Sequence, residues 1–162
     1  SPPAINSASS TAFLMDSMLK DVILRGTGRK AKVLNRSDIA GKTGTTNGPR
    51  DAWFSGYSPD LVATAWVGFD DNSVLGRNEY GGSAALPIWI QFMGEALSEK
   101  SITIKRQPKG IVMVKIDAKT GKRVLPNQQG IYEFFKSENV PAAPDDENSS
   151  TESEQPLPDD LF

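Results

Sequence analysis

Neither cysteine nor histidine occurs anywhere in the 162 residues. Without cysteine there is no disulfide framework, no thiolate nucleophile and no thiolate-bound metal. Without histidine, Ser-His-Asp catalysis and His-ligated zinc are excluded too. Chemistry confined to this chain has to use Lys, Asp, Glu, Ser, Thr or Tyr. Long apolar runs are also missing: none approaches the ~18 residues needed to span a bilayer. The chain opens Ser1-Pro2-Pro3, with neither an initiator Met nor a signal peptide, a start expected of an interior point of a longer protein.

Basic residues are missing from one end. Residues 137–162 hold no Lys or Arg but eight of the 20 acids, which leaves 12 acids against 18 bases in the rest. The net charge of −2 is therefore an acidic tail on a modestly basic body. Rich in Ser and Pro and nearly free of aliphatics, the tail buries too little to offset ordering entropy and is expected to be disordered.

What is present reads as a mixed α/β chain. An amphipathic helix is predicted over 7–25, capped by Ser9, Ser10 or Thr11, with Leu14, Met15, Met18, Leu19, Val22 and Ile23 on its apolar face. Asp16, Ser17, Lys20 and Asp21 fall on the polar face. Gly26-Thr27-Gly28 stops it, and Arg29, Lys30, Lys32 and Arg36 form a solvated basic connector. Three strands follow, near 39–46, 51–57 and 61–70. The turn chemistry at Asn47-Gly48-Pro49 and Ser58-Pro59-Asp60 joins them as an antiparallel meander. A loop over 71–83 leads to a second helix at 86–97, with Pro87 in its first turn. Trp53, Phe54, Trp66, Trp89 and Phe92 are expected in the core, with the lining of a cleft as the alternative for Trp53. Residues 101–136 read as a small β-rich appendix, with strands at 111–116 and 122–125 around a hairpin turn at 117–121 and a short helical stretch around Tyr132 to Phe135. The expected organisation is 1–100, 101–136 and the tail 137–162.

Chemistry concentrates at Ile39-Ala40-Gly41-Lys42-Thr43-Gly44-Thr45-Thr46. Strand alternation points Thr43 and Thr45 to one side. Two hydroxyls and an ammonium suit a carboxylate, and an edge strand can pair with an extended peptide. Gly41-Lys42-Thr43 also matches the end of a phosphate-binding loop. That motif needs a glycine at position 36, which is Arg36, and a helix where an aromatic strand is expected. A second Lys-Thr-Gly, Lys119-Thr120-Gly121, sits after Asp117 in the setting of a turn and reads as structural.

The first copy has a distinctive neighbourhood. Gly41 to Asn47, then Arg50-Asp51-Ala52-Trp53-Phe54-Ser55-Gly56-Tyr57, then Ala65-Trp66-Val67-Gly68-Phe69-Asp70, resembles the class A, bifunctional penicillin-binding proteins. Gly110-Ile111-Val112, Ile116-Asp117, Ile131-Tyr132-Glu133-Phe134-Phe135 and Glu138-Asn139-Val140-Pro141 are similar to the C-terminal end of the Gram-negative 1A type. The resemblance covers roughly residues 5–141. It implies the penicillin-recognising serine transferase fold (α+β, an antiparallel sheet flanked by helices), of which only the C-terminal portion is present.

By that resemblance the function is D,D-transpeptidation through an acyl-serine, inhibited by β-lactams. Lys42 would reach toward the Ser of a Ser-x-Asn motif. Thr43 and Thr45 would hold the carboxylate of a D-Ala-D-Ala stem peptide or a β-lactam, beside an open Gly44. The Thr45 N–H would supply half of an oxyanion hole. No metal, organic cofactor or nucleic acid is implied. The implied setting is the periplasmic face of the inner membrane, reached through an N-terminal anchor outside this chain, in a parent that also polymerises glycan. A D,D-carboxypeptidase, a β-lactamase-like hydrolase and a non-catalytic domain of the same fold remain as alternatives.

The nucleophile's Ser-x-x-Lys is not convincingly here. Ser17-Met18-Leu19-Lys20 fits by letters, but lies mid-helix on the polar face and too close to Lys42. Ser137-Glu138-Asn139 fits Ser-x-Asn but follows Lys-Thr-Gly instead of preceding it. The N-terminal remainder of the same protein is the expected source of both motifs.

Overall fold

Two turns decide the sheet. In the computed structural model, which describes residues 5–143, β1 (Ala40–Thr45), β2 (Asp51–Ser58) and β3 (Leu61–Gly68) form an antiparallel meander in that order. The first turn closes where the Thr46 hydroxyl accepts the N–H groups of Arg50 and Asp51 at 3.3 and 3.0 Å, with Gly48 at φ +65°. The second is the two-residue Pro59-Asp60 loop between the paired Ser58 and Leu61. Mixed α/β architecture with an antiparallel sheet is thus as expected. Residues 144–162, most of the acidic tail, lie outside the described residues.

Helix α2 (Leu86–Ala96) lies on one face of this sheet and carries the core. Trp89, Met93, Leu86 and Phe54 are the largest fully buried side chains, each contributing roughly 1.5–3 kcal/mol by burial. Phe54 meets Trp89 edge-on at 4.9 Å, and the Trp89 Nε1–H donates to the Ala63 carbonyl at 3.1 Å. Two glycines facing each other, Gly41 and Gly56, make room for these rings. A Cβ at Gly56 would lie 2.6 Å from the Trp89 ring, and one at Gly41 would lie 2.8 Å from that of Phe54.

The remaining aromatics are not core. Trp53, Trp66 and Phe92 are 42%, 46% and 52% exposed. Trp53 and Trp66 face each other across β2 and β3 with centroids 5.9 Å apart, on the face opposite Phe54. Alternation required this, since neighbours along a strand point to opposite sides.

Helix α1 runs Ile5–Leu24, so Ser9, Ser10 and Thr11 lie within it and do not cap it. Its inward face also differs from the apolar stripe. Met15 and Met18 are exposed, while Ile23, Ser10 and Asp16 are buried. Asp16 turns inward because three partners meet it: Lys20 and Lys105, both at 2.9 Å, and the Tyr57 hydroxyl, which donates at 3.0 Å. Lys20 is therefore committed to an ion pair and does not sit on a solvated face.

Burial alone would raise the Asp16 pKa, but the hydrogen bonds from Lys20, Lys105 and Tyr57 outweigh it and hold the carboxyl below its usual value. Burial, then the hydrogen bond to Asp16 and the Asp16 charge, push the Tyr57 phenol up to about 12. A lowered folded-state pKa gives stability that is complete above the unfolded value, near 3.9, and lost as pH falls through the folded value. Asp16→Asn should therefore melt below wild type at neutral pH, and the gap should close as pH drops below about 4. A gap that stays constant down to low pH would refute this account.

Arg36, expected on a solvated connector, is an internal staple. Its Nε and Nη2 donate to Asp38 at 2.9 and 2.8 Å, and its Nη1 donates to the Leu97 and Lys100 carbonyls at 3.2 and 2.7 Å. Asp38 also accepts the Thr103 N–H at 3.0 Å. Its carboxyl, which burial would push up, is held low by Arg36 and Thr103. Arg29, Lys30 and Lys32 are exposed in the 3-10 segment Arg29–Leu34.

Two compact units result, Ser1–Ile111 and Val112–Phe162. Residues 101–105, expected to open the appendix, are instead tied to the larger unit through Arg36, Asp38 and Asp16. In the smaller unit, β4 (Ile111–Ile116) pairs with β5 (Ile131–Lys136). The helical stretch expected around Tyr132 to Phe135 is thus a strand: its aromatic and β-branched residues suit a sheet once β4 supplies the partner. The expected strand 122–125 contributes a single bridge, Arg123 to Ile116. Lys119-Thr120-Gly121 is a turn in which Asp117 accepts the N–H groups of Lys119 and Thr120. Ser137–Asn139 forms a 3-10 turn.

Candidate active site

β1 is an edge strand, with β2 on one side and no strand on the other among the described residues. The Thr46 N–H donates to the Asp51 carbonyl at 3.2 Å. Hydrogen-bonded and non-hydrogen-bonded pairs alternate in an antiparallel ladder. Gly44 and Lys42 therefore bond inward to Trp53 and Ser55, and the main-chain groups of Thr43 and Thr45 point out of the open edge. This is the orientation that pairing with an extended peptide, or donation by Thr45 N–H to an oxyanion, requires.

The four residues singled out from sequence do meet here. Lys42 is exposed, and its Nζ folds along the edge to the Thr43 carbonyl at 3.0 Å and the Thr43 hydroxyl at 3.2 Å. The Thr45 hydroxyl accepts the Gly81 N–H at 3.1 Å. Gly44 is flanked by Trp53, the nearest neighbour a Cβ there would meet, at 3.3 Å.

Two contributors escaped the sequence reading. The first is Thr27, whose hydroxyl lies 2.8 Å from that of Thr43. The second is the π-helical turn Gly81–Ala85, which begins where a loop was expected and leads into α2. A Cβ at Gly81 would stand 2.3 Å from the Trp53 carbonyl and 2.7 Å from that of Gly44. Only glycine lets this turn reach the strand and deliver its N–H to Thr45. The Gly81-Gly82 doublet was the available signal, because paired glycines in a long loop mark a close backbone approach.

Ser17 does not join the site. It is half-buried midway along α1, and Lys20 of the same motif is engaged with Asp16. Among the described residues, no helix is long and apolar enough to cross a membrane.

Comparison with known proteins is consistent across sequence and structure. No protein-family model matches the chain. Penicillin-binding protein 1A of Pseudomonas aeruginosa is 52% identical over 151 residues, 93% of this chain and 18% of that protein. Penicillin-binding protein 1A of Vibrio cholerae is 42% identical over 72% of this chain and 16% of its own length. The crystal structure of penicillin-binding protein 1A from Haemophilus influenzae superposes with a TM-score of 0.75 at 40% identity, over 83% of this chain and 21% of that one. The chain thus spans about a fifth of the length of these relatives. Sequence identity over nearly the whole chain and a shared fold lead to one conclusion: the chain belongs to the penicillin-binding protein 1A family.

Proposed function

We propose that this chain is the Lys-Thr-Gly wall of a peptidoglycan D,D-transpeptidase that β-lactams acylate. The observation that carries the reading is the open edge of β1. It brings one ammonium, two hydroxyls and an outward Thr45 N–H together along four consecutive residues, Lys42 to Thr45.

In this reading a serine outside the chain attacks the carbonyl of the penultimate D-Ala of a stem peptide. Negative charge builds on the carbonyl oxygen, and the Thr45 N–H stabilises it as one of two donors. The terminal D-Ala leaves as a protonated amine, and the acyl-serine forms. The amine of a neighbouring stem then attacks, releases the serine and completes the cross-link. Thr43 and Thr45 hydroxyls hold the stem's terminal carboxylate, or that of a β-lactam. Lys42 adds positive potential and reaches a Ser-x-Asn serine supplied from outside the chain. The parent also polymerises glycan and works at the periplasmic face of the inner membrane, anchored by a helix elsewhere in its sequence.

The 162-residue chain alone should form no covalent adduct with a fluorescent penicillin. Together with the N-terminal sequence carrying Ser-x-x-Lys, it should label. Gel fluorescence and mass spectrometry read both results, and labelling of the isolated chain at Ser17 would sink the proposal.

A further inference from the structure

We infer that Thr27 is a positioning residue that turns the Thr43 hydroxyl into a dedicated donor for the substrate carboxylate. The inference rests on the transpeptidase reading and adds to it a residue from outside the Lys-Thr-Gly strand.

The argument is one of proton accounting. A threonine hydroxyl has one proton to give and two lone pairs to accept with. Lys42 Nζ, an ammonium with no lone pair, can only donate, and it occupies one lone pair of Thr43 Oγ1 at 3.2 Å. Thr27 Oγ1, at 2.8 Å, contacts the same oxygen and either hydroxyl can be the donor. If Thr27 donates, both lone pairs of Thr43 are filled, and its single proton is left to point at a third group. An anionic carboxylate is a stronger acceptor than a neutral hydroxyl. Its arrival therefore favours that direction, and no heavy atom has to move. Without Thr27 the Thr43 hydroxyl keeps a vacant lone pair and rotates among alternatives.

Thr27 is built into place for this. The Gly28 N–H donates to the Val22 carbonyl at 2.9 Å and the Gly26 N–H to the Asp21 carbonyl at 3.0 Å, which folds the Gly26–Gly28 turn back over the end of α1. A Cβ at Gly26 would lie 2.9 Å from the Val22 backbone. On the other side, a Cβ at Gly82 would lie 3.0 Å from the Thr27 carbonyl and 3.8 Å from the Thr43 methyl. The hydroxyl is thus held between α1, β1 and the turn that leads into α2. The Thr45 hydroxyl accepts the Gly81 N–H at 3.1 Å, which fills one of its two lone pairs.

The test uses the full-length protein that carries this stretch and measures acylation rate constants with a fluorescent penicillin. Thr27→Val, which keeps the shape and removes the hydroxyl, should slow acylation about tenfold, the scale of one hydrogen bond to a charged group. Thr27→Ser should restore it. In a Thr43→Val background, Thr27→Val should cost nothing further, because the hydroxyl it orients is gone. A merely structural role would slow both backgrounds equally, and that result, or full activity in Thr27→Val, overturns the inference. Failure of the unmutated protein to label would instead remove the transpeptidase reading itself.

Discussion

Lys42→Ala slows acylation of the full-length protein by a fluorescent penicillin roughly 10²- to 10³-fold, the range seen when one oriented charge-stabilising donor is removed. The melting temperature stays where it was. Both halves of this expectation come from the geometry. The Lys42 side chain is exposed and, among the described residues, bonds only within its own strand edge, to the Thr43 carbonyl and hydroxyl, so the fold loses little. On the proposed reading the site, in contrast, loses the ammonium beside the Thr43 hydroxyl, one of the two proposed to hold the substrate carboxylate. Lys119→Ala is the matched control. It sits in the other Lys-Thr-Gly, a turn organised by Asp117, and should acylate at the wild-type rate. Near-normal acylation in Lys42→Ala, or a loss in Lys119→Ala, would mean that the wrong copy has been assigned to the site.

Trp89→Ala is the substitution that should cost the fold most, about 3–5 kcal/mol for a buried aromatic cut to alanine. A whole domain holds only roughly 5–15 kcal/mol. Trp89 is 1% exposed, packs edge-on against Phe54, and fills the space left by Gly56. Its removal also leaves the Ala63 carbonyl without its indole donor. With urea slopes of about 1–3 kcal/mol per M, the unfolding midpoint should fall by more than about 1 M. Trp89→Phe, which keeps a ring but not the N–H, should lie between wild type and alanine. A midpoint within a few tenths of a molar of wild type would show that the core does not depend on this ring.

The meander was readable in the sequence because local chemistry decides it. Gly48-Pro49 and Pro59-Asp60 can only turn, and what lies between alternates. Lys42 to Thr45 were readable for the same reason, as consecutive residues on one strand. The misreadings share a different cause. Asp16 looked solvated because the groups that bury it, Tyr57 and Lys105, lie 41 and 89 residues away. Arg36 looked like one more surface base because, beyond Asp38, its acceptors are the carbonyls of Leu97 and Lys100, more than 60 residues away. Tyr132 to Phe135 carry no alternation, so only pairing with β4 makes them a strand. Thr27 was read as part of a helix stop, which it is, yet its hydroxyl has meaning only once Thr43 is folded against it.

The glycines at 41, 56 and 81 bear on how such a protein could change under drug selection. Each stands where an added methyl would strike backbone or a buried ring at under 3 Å, so none of the three takes a side chain unless its neighbours shift. On the proposed reading, a bacterial population exposed to β-lactams cannot remodel this wall simply by adding a side chain at one of these three positions. On that reading, substitutions in this stretch that alter acylation should fall on exposed residues beside the strand, such as Thr27 and Trp53, where they change contacts at the site and not the core.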